Sequence, residues 1–149
     1  TWGPIVEVAY LFLGIFITMV PALIYLTQNA DSIGIETPAQ FYYATGSLSA
    51  FLDNAPTALS FYNLALGLDL GSVYDGALVA RIPEIILTAI SLSSVFFGAM
   101  TYIGNGPNFM VKAIAEENKI KMPSFFGYMF RFSLIVLLPI YILTQLIFL

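Results

Sequence analysis

The stretch from residue 47 to residue 57 is SLSAFLDNAPT, a polar tip between two apolar segments that are each too short to cross a membrane. The segment before the tip covers residues 41–52, and the segment after it covers residues 58–68. A helix of about a dozen residues is about 18 Å long, whereas the hydrocarbon layer is about 30 Å thick. The pattern therefore predicts a re-entrant helical hairpin over residues 41–68, which needs protein or water around it at membrane depth.

The composition is that of a membrane protein. Of the 149 residues, 59% are apolar and 9% are charged, and the mean hydropathy is +0.88. Soluble domains carry about 25% charged residues. The sequence has no Cys and no His, which excludes thiolate and imidazole metal sites, cysteine nucleophiles and histidine acid–base chemistry. We therefore expect no enzyme activity and no cofactor. A net charge of −4 without a basic block also predicts no nucleic-acid partner.

Three further segments are predicted to lie in the membrane. Residues 5–27 form an apolar run that predicts a transmembrane helix. Residues 77–118 form a second helical stretch that is interrupted by Gly, Asn and Pro at residues 104–108, which predicts a broken transmembrane helix. Residues 125–149 predict the last transmembrane helix. The predicted fold is an all-α membrane protein with transmembrane helices, a re-entrant hairpin and a discontinuous helix.

The basic residues predict an orientation in the membrane. Lys112, Lys119 and Lys121 lie in one short connection, which the positive-inside bias places in the cytoplasm. The segment 69–76 is then external, and Thr1 is near the cytoplasm. Because the chain begins with Thr rather than Met, we expect it to be part of a longer polypeptide.

The hairpin tip and the broken helix carry the same pattern of Asn, a small residue and Pro, namely Asn54-Ala55-Pro56 and Asn105-Gly106-Pro107. Asn is a preferred N-cap and Pro is favoured in the first helical turn, so each tripeptide is expected to start a half-helix. The helix that ends at such a break offers carbonyls that suit Na⁺, and the helix that starts there offers N–H groups that suit an anion. Gly104 and Gly106 allow the non-helical dihedral angles and the close approach of a break. Discontinuous helices of this kind are typical of secondary transporters.

Candidate binding residues cluster at these two breaks. Asp53 is the one acid predicted deep in the membrane, where a proton and a cation would compete for its carboxylate. Thr57 adds a neutral oxygen of the kind that binds hard cations. The residues predicted to bind a cation or substrate are Asp53, Asn54, Ala55, Thr57, Gly104, Asn105, Gly106 and Asn108, with Pro56 and Pro107 at the helix breaks. The expected Na⁺ ligands are Asp53, Asn54, Thr57 and Asn105.

The hairpin motif at residues 47–57 and the sequence MTYIGNGPNF at residues 100–109 together resemble the C-terminal repeat of the ion transporter superfamily. The chain is most similar to bacterial proteins described as sodium:proton antiporters or citrate transporters. The resemblance covers essentially the whole chain and implies that residues 1–149 are the membrane-embedded C-terminal half of a secondary transporter. It also implies Na⁺ as the coupling ion, H⁺ or a small carboxylate as the second solute, the bacterial inner membrane, a preceding inverted repeat and a homodimer.

The resemblance also bears on single residues. In the related sodium-coupled carboxylate carriers, a Ser-Asn-Thr hairpin tip and an unwound helix build a sodium site and part of the substrate site. By this resemblance, Asn54 corresponds directly to the Asn of that tip, and Thr57 corresponds to its Thr by approximate placement. The sequence Asp-Asn-Ala-Pro-Thr at residues 53–57 departs from that tip, which weakens the expectation of dicarboxylate binding.

Three interpretations of function remain open from the sequence. Sodium:proton antiport is the first, with Na⁺ between the hairpin tip and the unwound helix. Sodium-coupled uptake of citrate or another carboxylate is the second, since Asn-capped helix ends suit an anion. A passive channel comes from a different class, but channels with paired half-helices carry Asn-Pro-Ala, whereas both motifs here place Pro third. An intramembrane aspartyl protease would need two buried acids, and only Asp53 is predicted at membrane depth.

Overall fold

The computed structural model describes residues 3–149, and most of these are helical. Thr1, expected near the cytoplasm, lies outside these residues. The helices and strands are α1 (Gly3–Gln28), α2 (Ala30–Ile33), α3 (Pro38–Ser49), α4 (Asn54–Leu66), β1 (Leu78–Val79), β2 (Ile82–Pro83), α5 (Glu84–Phe97), α6 (Gly106–Glu117), α7 (Phe125–Tyr128) and α8 (Leu138–Phe148). Short 3₁₀ turns lie at Leu70–Ser72 and Gly98–Met100. The π-helical residues Met129–Leu137 join α7 to α8, and we call Phe125–Phe148 the last helix.

The last helix is the one helix in the described residues that is long and apolar enough to cross a membrane, with 24 residues. Two other apolar helical stretches, Phe12–Gln28 and Glu84–Met100, are shorter. Helix α1 contains the whole of the predicted 5–27 segment. The structure therefore confirms an all-α chain with one clear candidate membrane span among the described residues.

Helices α3 and α4 form two short helices joined by a tight tip, as the hairpin motif predicts. Thr37 begins α3 with a capping box: its hydroxyl accepts from the Gln40 backbone N–H at 3.2 Å, and the Gln40 side chain accepts from the Thr37 backbone N–H at 2.9 Å. Helix α3 has 12 residues and ends at Ser49, and α4 has 13 residues. Both are about half as long as a membrane is thick.

The N-cap of α4 is Asp53, and the prediction that Asn54 caps this helix is wrong. The Asp53 carboxylate accepts from the Ala55 backbone N–H at 3.3 Å, and Asn54 is the first helical residue. Asp and Asn cap helices about equally well, so the residue with extended backbone angles takes the role, and Asp53 has φ −60° and ψ 146°. As a result, the Asn54 side chain is available for contacts outside its own helix.

The prediction of helix over residues 77–83 is also wrong. Strands β1 and β2 pair antiparallel in this segment. Ala80 and Arg81 between them have φ values of +51° and +72°, as a two-residue hairpin turn requires. Helix α5 consequently begins only at Glu84. The apolar residues of the segment fit either structure, and the backbone pairing across the turn decides between them.

The break after α5 lies earlier than predicted. Helix α5 ends at Phe97, the chain is a 3₁₀ turn and then irregular over residues 98–105, and α6 begins at Gly106. Gly106, Pro107 and Asn108 therefore open a helix and do not interrupt one. The physical reason is that Pro lacks an N–H that would be unpaired in the first helical turn anyway, so Pro107 favours a helix start.

The core lies where α3, α5 and the last helix meet. The ring of Tyr42 packs edge-on against Phe97, with 5.5 Å between ring centroids, and Phe97 packs against Tyr141 at 4.9 Å. The Tyr42 hydroxyl donates to the Tyr141 carbonyl at 3.0 Å. Gly46 on α3 faces the Phe97 ring so closely that a Cβ would lie 2.5 Å from a ring carbon. Such small residues let helix backbones approach each other, and here they fix the hairpin against α5.

Candidate functional site

The hairpin tip lies against the break between α5 and α6. We call this place the crossing, and define it as the tip, residues 49–54, together with the break, residues 98–105. The Ser49 hydroxyl, at the end of α3, donates to the Ser94 carbonyl in the last turn of α5 at 2.5 Å. Both side chains are buried. The crossing is therefore held by a direct bond between the ends of two helices.

The Asn54 side chain links the tip to the break. Its amide lies 3.1 Å from Ser49 Oγ, whose single hydrogen is donated to Ser94, so Asn54 Nδ2 is the donor in this contact. In this orientation Nδ2 also lies 2.9 Å from the Ser94 carbonyl and 3.2 Å from the Gly104 carbonyl. Oδ1 accepts from Asn105 Nδ2 at 3.1 Å. One amide group thus contacts α3, α5 and the far end of the break.

The hydroxyl of Thr101 organises the break itself. Thr101 is buried, and its Oγ1 donates to the Ala50 carbonyl at the tip. The same oxygen accepts from the backbone N–H groups of Ile103 at 3.3 Å and Gly104 at 3.0 Å. These two N–H groups lie outside any helix and need a partner when buried. Thr101 therefore shapes the irregular segment and attaches it to the hairpin.

Three carbonyl oxygens converge on Gly104. A Cβ added there would lie 2.6 Å from the Ala50 oxygen and 2.8 Å from the oxygens of Ser49 and Gly98. A Cβ on Gly98 would overlap the side chain of Asn54. Only glycine allows this approach at both positions. Because the last carbonyls of a helix carry partial negative charge, the ends of α3 and α5 direct negative potential at one small region.

Asn105 adds a buried oxygen without a partner. It is the N-cap of α6 by its extended backbone, with φ −154° and ψ 129°, yet its side chain makes no capping bond. Its Nδ2 donates to Asn54, and its Oδ1 has no hydrogen-bond partner among the described residues. An unpaired buried acceptor costs roughly 1–3 kcal/mol. A donor or a cation at the crossing would remove that cost.

The structure brings three of the residues predicted from the sequence directly together: Asn54, Gly104 and Asn105. Asn108 joins them from the first turn of α6, because its Nδ2 donates to the Gly98 carbonyl at 3.0 Å. These four residues come from both predicted motifs. The two Asn-small-Pro sequences therefore meet in space.

The other predicted hairpin residues serve the start of α4. The partly exposed Asp53 caps the helix through Ala55, and Pro56 lies in its first turn. Thr57 is buried, and its hydroxyl donates to the Asp53 carbonyl at 2.9 Å. The bonds of Asp53 and Thr57 thus lie within the first turn of α4, whereas those of Asn54 reach the break.

Gly106 and Pro107 are exposed at the start of α6. The expectation of non-helical dihedral angles at Gly106 is wrong, since it is a helical residue, and the glycines with positive φ among the described residues are Gly34 and Gly76. A Cβ on Gly106 would meet no atom within 4 Å. The steric requirement for glycine lies at Gly104, which was predicted, and at Gly98, which was not.

The sequence patterns do not single out four residues of the crossing or its contacts: Ser49, Ser94, Gly98 and Thr101. Their common signal is a small or hydroxyl-bearing residue within a strongly apolar helix or directly after it. Such residues are frequent at helix interfaces in membranes, so this signal does not distinguish a site from packing.

Apart from the partly exposed Asp53, which caps α4, the crossing is built from neutral groups. No group of three or more acidic side chains comes together in residues 3–149. Backbone carbonyls, amide oxygens and hydroxyls surround the contact between tip and break instead. Carbonyls at unwound helices and half-helix ends are the usual ligands of coupling cations in transporters with broken helices.

Comparison with known proteins identifies a family for the chain. No curated protein and no solved structure matches the chain. One family of transport proteins matches it over residues 1–149, its whole length, which confirms the resemblance to an ion transporter family. The chain belongs to the family described as "Putative citrate transport".

Proposed function

We propose that the protein is a secondary transporter that couples the movement of citrate, or a similar carboxylate, to Na⁺. Family membership supports a carboxylate as the transported solute. One observation carries the cation: the carbonyl oxygens of Ser49, Ala50 and Gly98 converge on Gly104, and the next residue, Asn105, carries a buried oxygen without a hydrogen-bond partner among the described residues. Several acceptors packed together away from water are favourable only when a donor or a cation lies among them.

The hydrogen bonds at the crossing leave acceptor capacity for this cation. A carbonyl oxygen has two lone pairs. The Ala50 oxygen accepts from Thr101 and the Gly98 oxygen accepts from Asn108, so each keeps one lone pair beyond those bonds. Asn105 Oδ1 keeps both. We therefore propose neutral backbone and amide oxygens as the Na⁺ ligands.

This set revises the ligands expected from the sequence. Asn54 and Asn105 stay at the crossing, Asn54 holding the arrangement and Asn105 supplying an oxygen. Asp53 and Thr57 are proposed to stabilise the start of α4, in keeping with the bonds they make there. Their contribution to the cation site is then indirect.

The substrate carboxylate is proposed to bind at the start of α6, since the start of α4 is already capped by the Asp53 carboxylate. The N-terminus of a helix offers N–H groups and partial positive charge to an anion. The side chain of Asn105 does not cap α6, and Gly106 leaves open space at its start. A cation at the crossing would lie beside this anion, so each would strengthen the binding of the other, which is the basis of coupled transport.

The membrane arrangement of this proposal follows from the two breaks. Residues 41–68 would enter the bilayer as a re-entrant hairpin, and residues 77–118 would contribute the discontinuous helix. The whole of residues 1–149 would form the C-terminal half of the transporter, opposite an inverted repeat, in a homodimer of the bacterial inner membrane. Alternating access would move this half against its partner repeat around the occupied crossing.

The proposal is tested with the complete protein in proteoliposomes. We expect radiolabelled citrate to accumulate above its external concentration when an inward Na⁺ gradient is imposed, and not with K⁺ in place of Na⁺. Accumulation separates a secondary transporter from a passive channel, which only equilibrates the solute. Citrate equilibration without accumulation would contradict the proposal, and so would uptake that is indifferent to Na⁺.

Sodium:proton exchange is the second candidate, because the partly exposed Asp53 offers a carboxylate at the hairpin tip. The variant Asp53→Asn separates the two functions, since Asn caps a helix about as well as Asp but does not titrate. We expect Asp53→Asn to keep sodium-driven citrate uptake within about twofold of the wild type. The measurement pairs citrate uptake with internal pH after a sodium pulse. A wild-type proton signal that Asp53→Asn abolishes would establish exchange instead.

A further inference from the structure

The carbonyl groups at the end of α5 are bonded to side chains from elsewhere in the chain. The last carbonyls of a helix have no partner within the helix. Here the oxygens of residues 96, 98, 99 and 100 each accept a hydrogen bond from a side chain. The Tyr141 hydroxyl donates to the oxygen of residue 96 at 2.6 Å, and the Asn108 amide donates to that of residue 98 at 3.0 Å. The Tyr128 hydroxyl donates to the oxygen of residue 99 at 3.0 Å, and the Ser133 hydroxyl donates to that of residue 100 at 2.6 Å.

Three of these four donors belong to the last helix. Ser133 is fully buried, and Tyr141 is nearly so. The ring of Tyr128 also stacks on the ring of Tyr102 in the break, with 4.6 Å between centroids. One face of the last helix, from Tyr128 to Tyr141, therefore lies along the end of α5 and the beginning of the break.

The π-helical segment of the last helix explains how these donors share a face. In a regular α-helix, residues five apart such as Tyr128 and Ser133 would point about 140° apart. Hydrogen bonding from residue i to i+5, as in Met129–Leu137, widens the turn and returns such residues to one side. π-Helical segments are rare and are frequently found at functional sites. The π-helical register thus places the hydroxyls of Tyr128 and Ser133 opposite two adjacent carbonyls, those of Ala99 and Met100.

These bonds act on the part of the chain that forms the crossing. Ser133 holds the carbonyl of Met100, and the next residue, Thr101, bonds to the tip at Ala50. Tyr128 holds the carbonyl of Ala99, which directly follows Gly98. The last helix therefore holds the residue that follows Gly98 and the residue that precedes Thr101.

We infer that Tyr128, Ser133 and Tyr141 are positioning residues of the crossing and that the π-helical register of the last helix aligns them. They hold the end of α5 so that the Gly98 carbonyl and the Thr101 hydroxyl keep their places, and they bind neither solute themselves. This inference deepens the proposed function, and it rests on that function only for the identity of the cation.

The first measurement does not depend on any solute. Amide hydrogen exchange of residues 98–105 is followed in the purified complete protein by mass spectrometry. We expect Ser133→Ala and Tyr128→Phe to speed exchange in this segment by roughly fivefold or more, the effect of losing about one buried hydrogen bond. Ser133→Thr, which keeps a hydroxyl, should restore slow exchange. The control is Thr144→Ala on the same helix, since the Thr144 hydroxyl bonds to its own helix at Ile140.

The second measurement tests the role in cation binding. We expect Ser133→Ala to raise the Na⁺ concentration for half-maximal citrate uptake by roughly fivefold, while the maximal rate per folded protein changes less. A purely structural loss would lower the maximal rate and leave the Na⁺ dependence unchanged, and that result would overturn the inference. Wild-type uptake without any Na⁺ dependence would overturn the proposed function instead, and the exchange data would still decide the positioning role.

Two deletions test the register independently of the hydroxyl groups. Ile135 lies within the π-helical segment and Ile147 lies beyond Tyr141, and their exposures are similar, at 66% and 65%. Deleting Ile135 should return the segment to an α-helix and turn Tyr128 away from Ser133, so exchange in residues 98–105 should accelerate. Deleting Ile147 should leave it unchanged. Equal exchange in the two deletion variants, or no change in Ser133→Ala and Tyr128→Phe, would overturn the inference.

Discussion

Replacing Asn54 with Ala is expected to lower sodium-driven citrate uptake by at least about tenfold, because several polar groups lose one shared partner. The Asn54 amide contacts Ser49, Ser94, Gly104 and Asn105. Each buried polar group left unpaired costs roughly 1–3 kcal/mol. The Asn105 side chain would lose its remaining bond, so the oxygen proposed for Na⁺ would no longer be held in place. Uptake of citrate against Na⁺ concentration measures the effect.

Asn63→Ala is the matched control for this prediction. Asn63 lies on the same helix, and its amide donates to the Leu59 carbonyl of that helix at 2.9 Å. Removing it deletes the same chemical group from the same element without touching the crossing. We expect uptake by Asn63→Ala within about twofold of the wild type, because losing a bond of about 1 kcal/mol within α4 leaves the crossing intact. Equal loss in both variants would mean that Asn54 only stabilises α4.

Replacing Gly104 with Ala is expected to abolish uptake and to reduce the yield of folded protein. The added methyl group would lie 2.6 Å from the Ala50 oxygen and 2.8 Å from the oxygens of Ser49 and Gly98. All three are backbone atoms, which cannot move away as the end of a flexible side chain can. Overpacking of this kind typically costs about 1–3 kcal/mol, and here it would push tip and break apart. Thermal unfolding and citrate uptake should be measured together.

Gly106→Ala provides the contrast two residues away. No atom lies within 4 Å of the position of its Cβ, and Gly106 is a helical residue at the start of α6. Ala also favours a helix over Gly by about 0.5–1 kcal/mol. We therefore expect Gly106→Ala to fold at least as well as the wild type, so its thermal unfolding is the control for the loss of folded protein in Gly104→Ala. If Gly104→Ala folds and transports citrate normally, the crossing is not where the cation binds.

The hairpin and its break could be predicted from local sequence preferences. Residues 41–68 contain two apolar segments around Asp53, Asn54 and Pro56, and the helix break falls between Ser49 and Asn54 as the motif predicts. Capping and helix-start preferences act over three or four residues, so a sequence pattern carries them. These local preferences do not choose between Asp53 and Asn54 as the N-cap of α4, because Asp and Asn cap helices about equally well.

The start of the broken helix was not predictable from periodicity. Residues 77–83 are apolar enough for a helix, and the structure pairs them as a two-stranded hairpin through positive φ at Ala80 and Arg81. Non-glycine residues seldom adopt positive φ, so the sequence carried no warning of the turn. Gly106, the glycine that was expected to need non-helical angles, is a helical residue.

The sequence by itself determined the apolar, all-α character of the chain, the short limbs of the hairpin and the two Asn-small-Pro helix starts, because composition, helix length and capping are local properties. Only the tertiary structure decided which polar groups meet. Ser49, Ser94, Gly98 and Thr101 resemble ordinary packing residues in the sequence, and their role follows from contacts across 45 to 51 residues of chain. Such contacts depend on how helix ends pack against one another, and neither spacing nor composition encodes that arrangement.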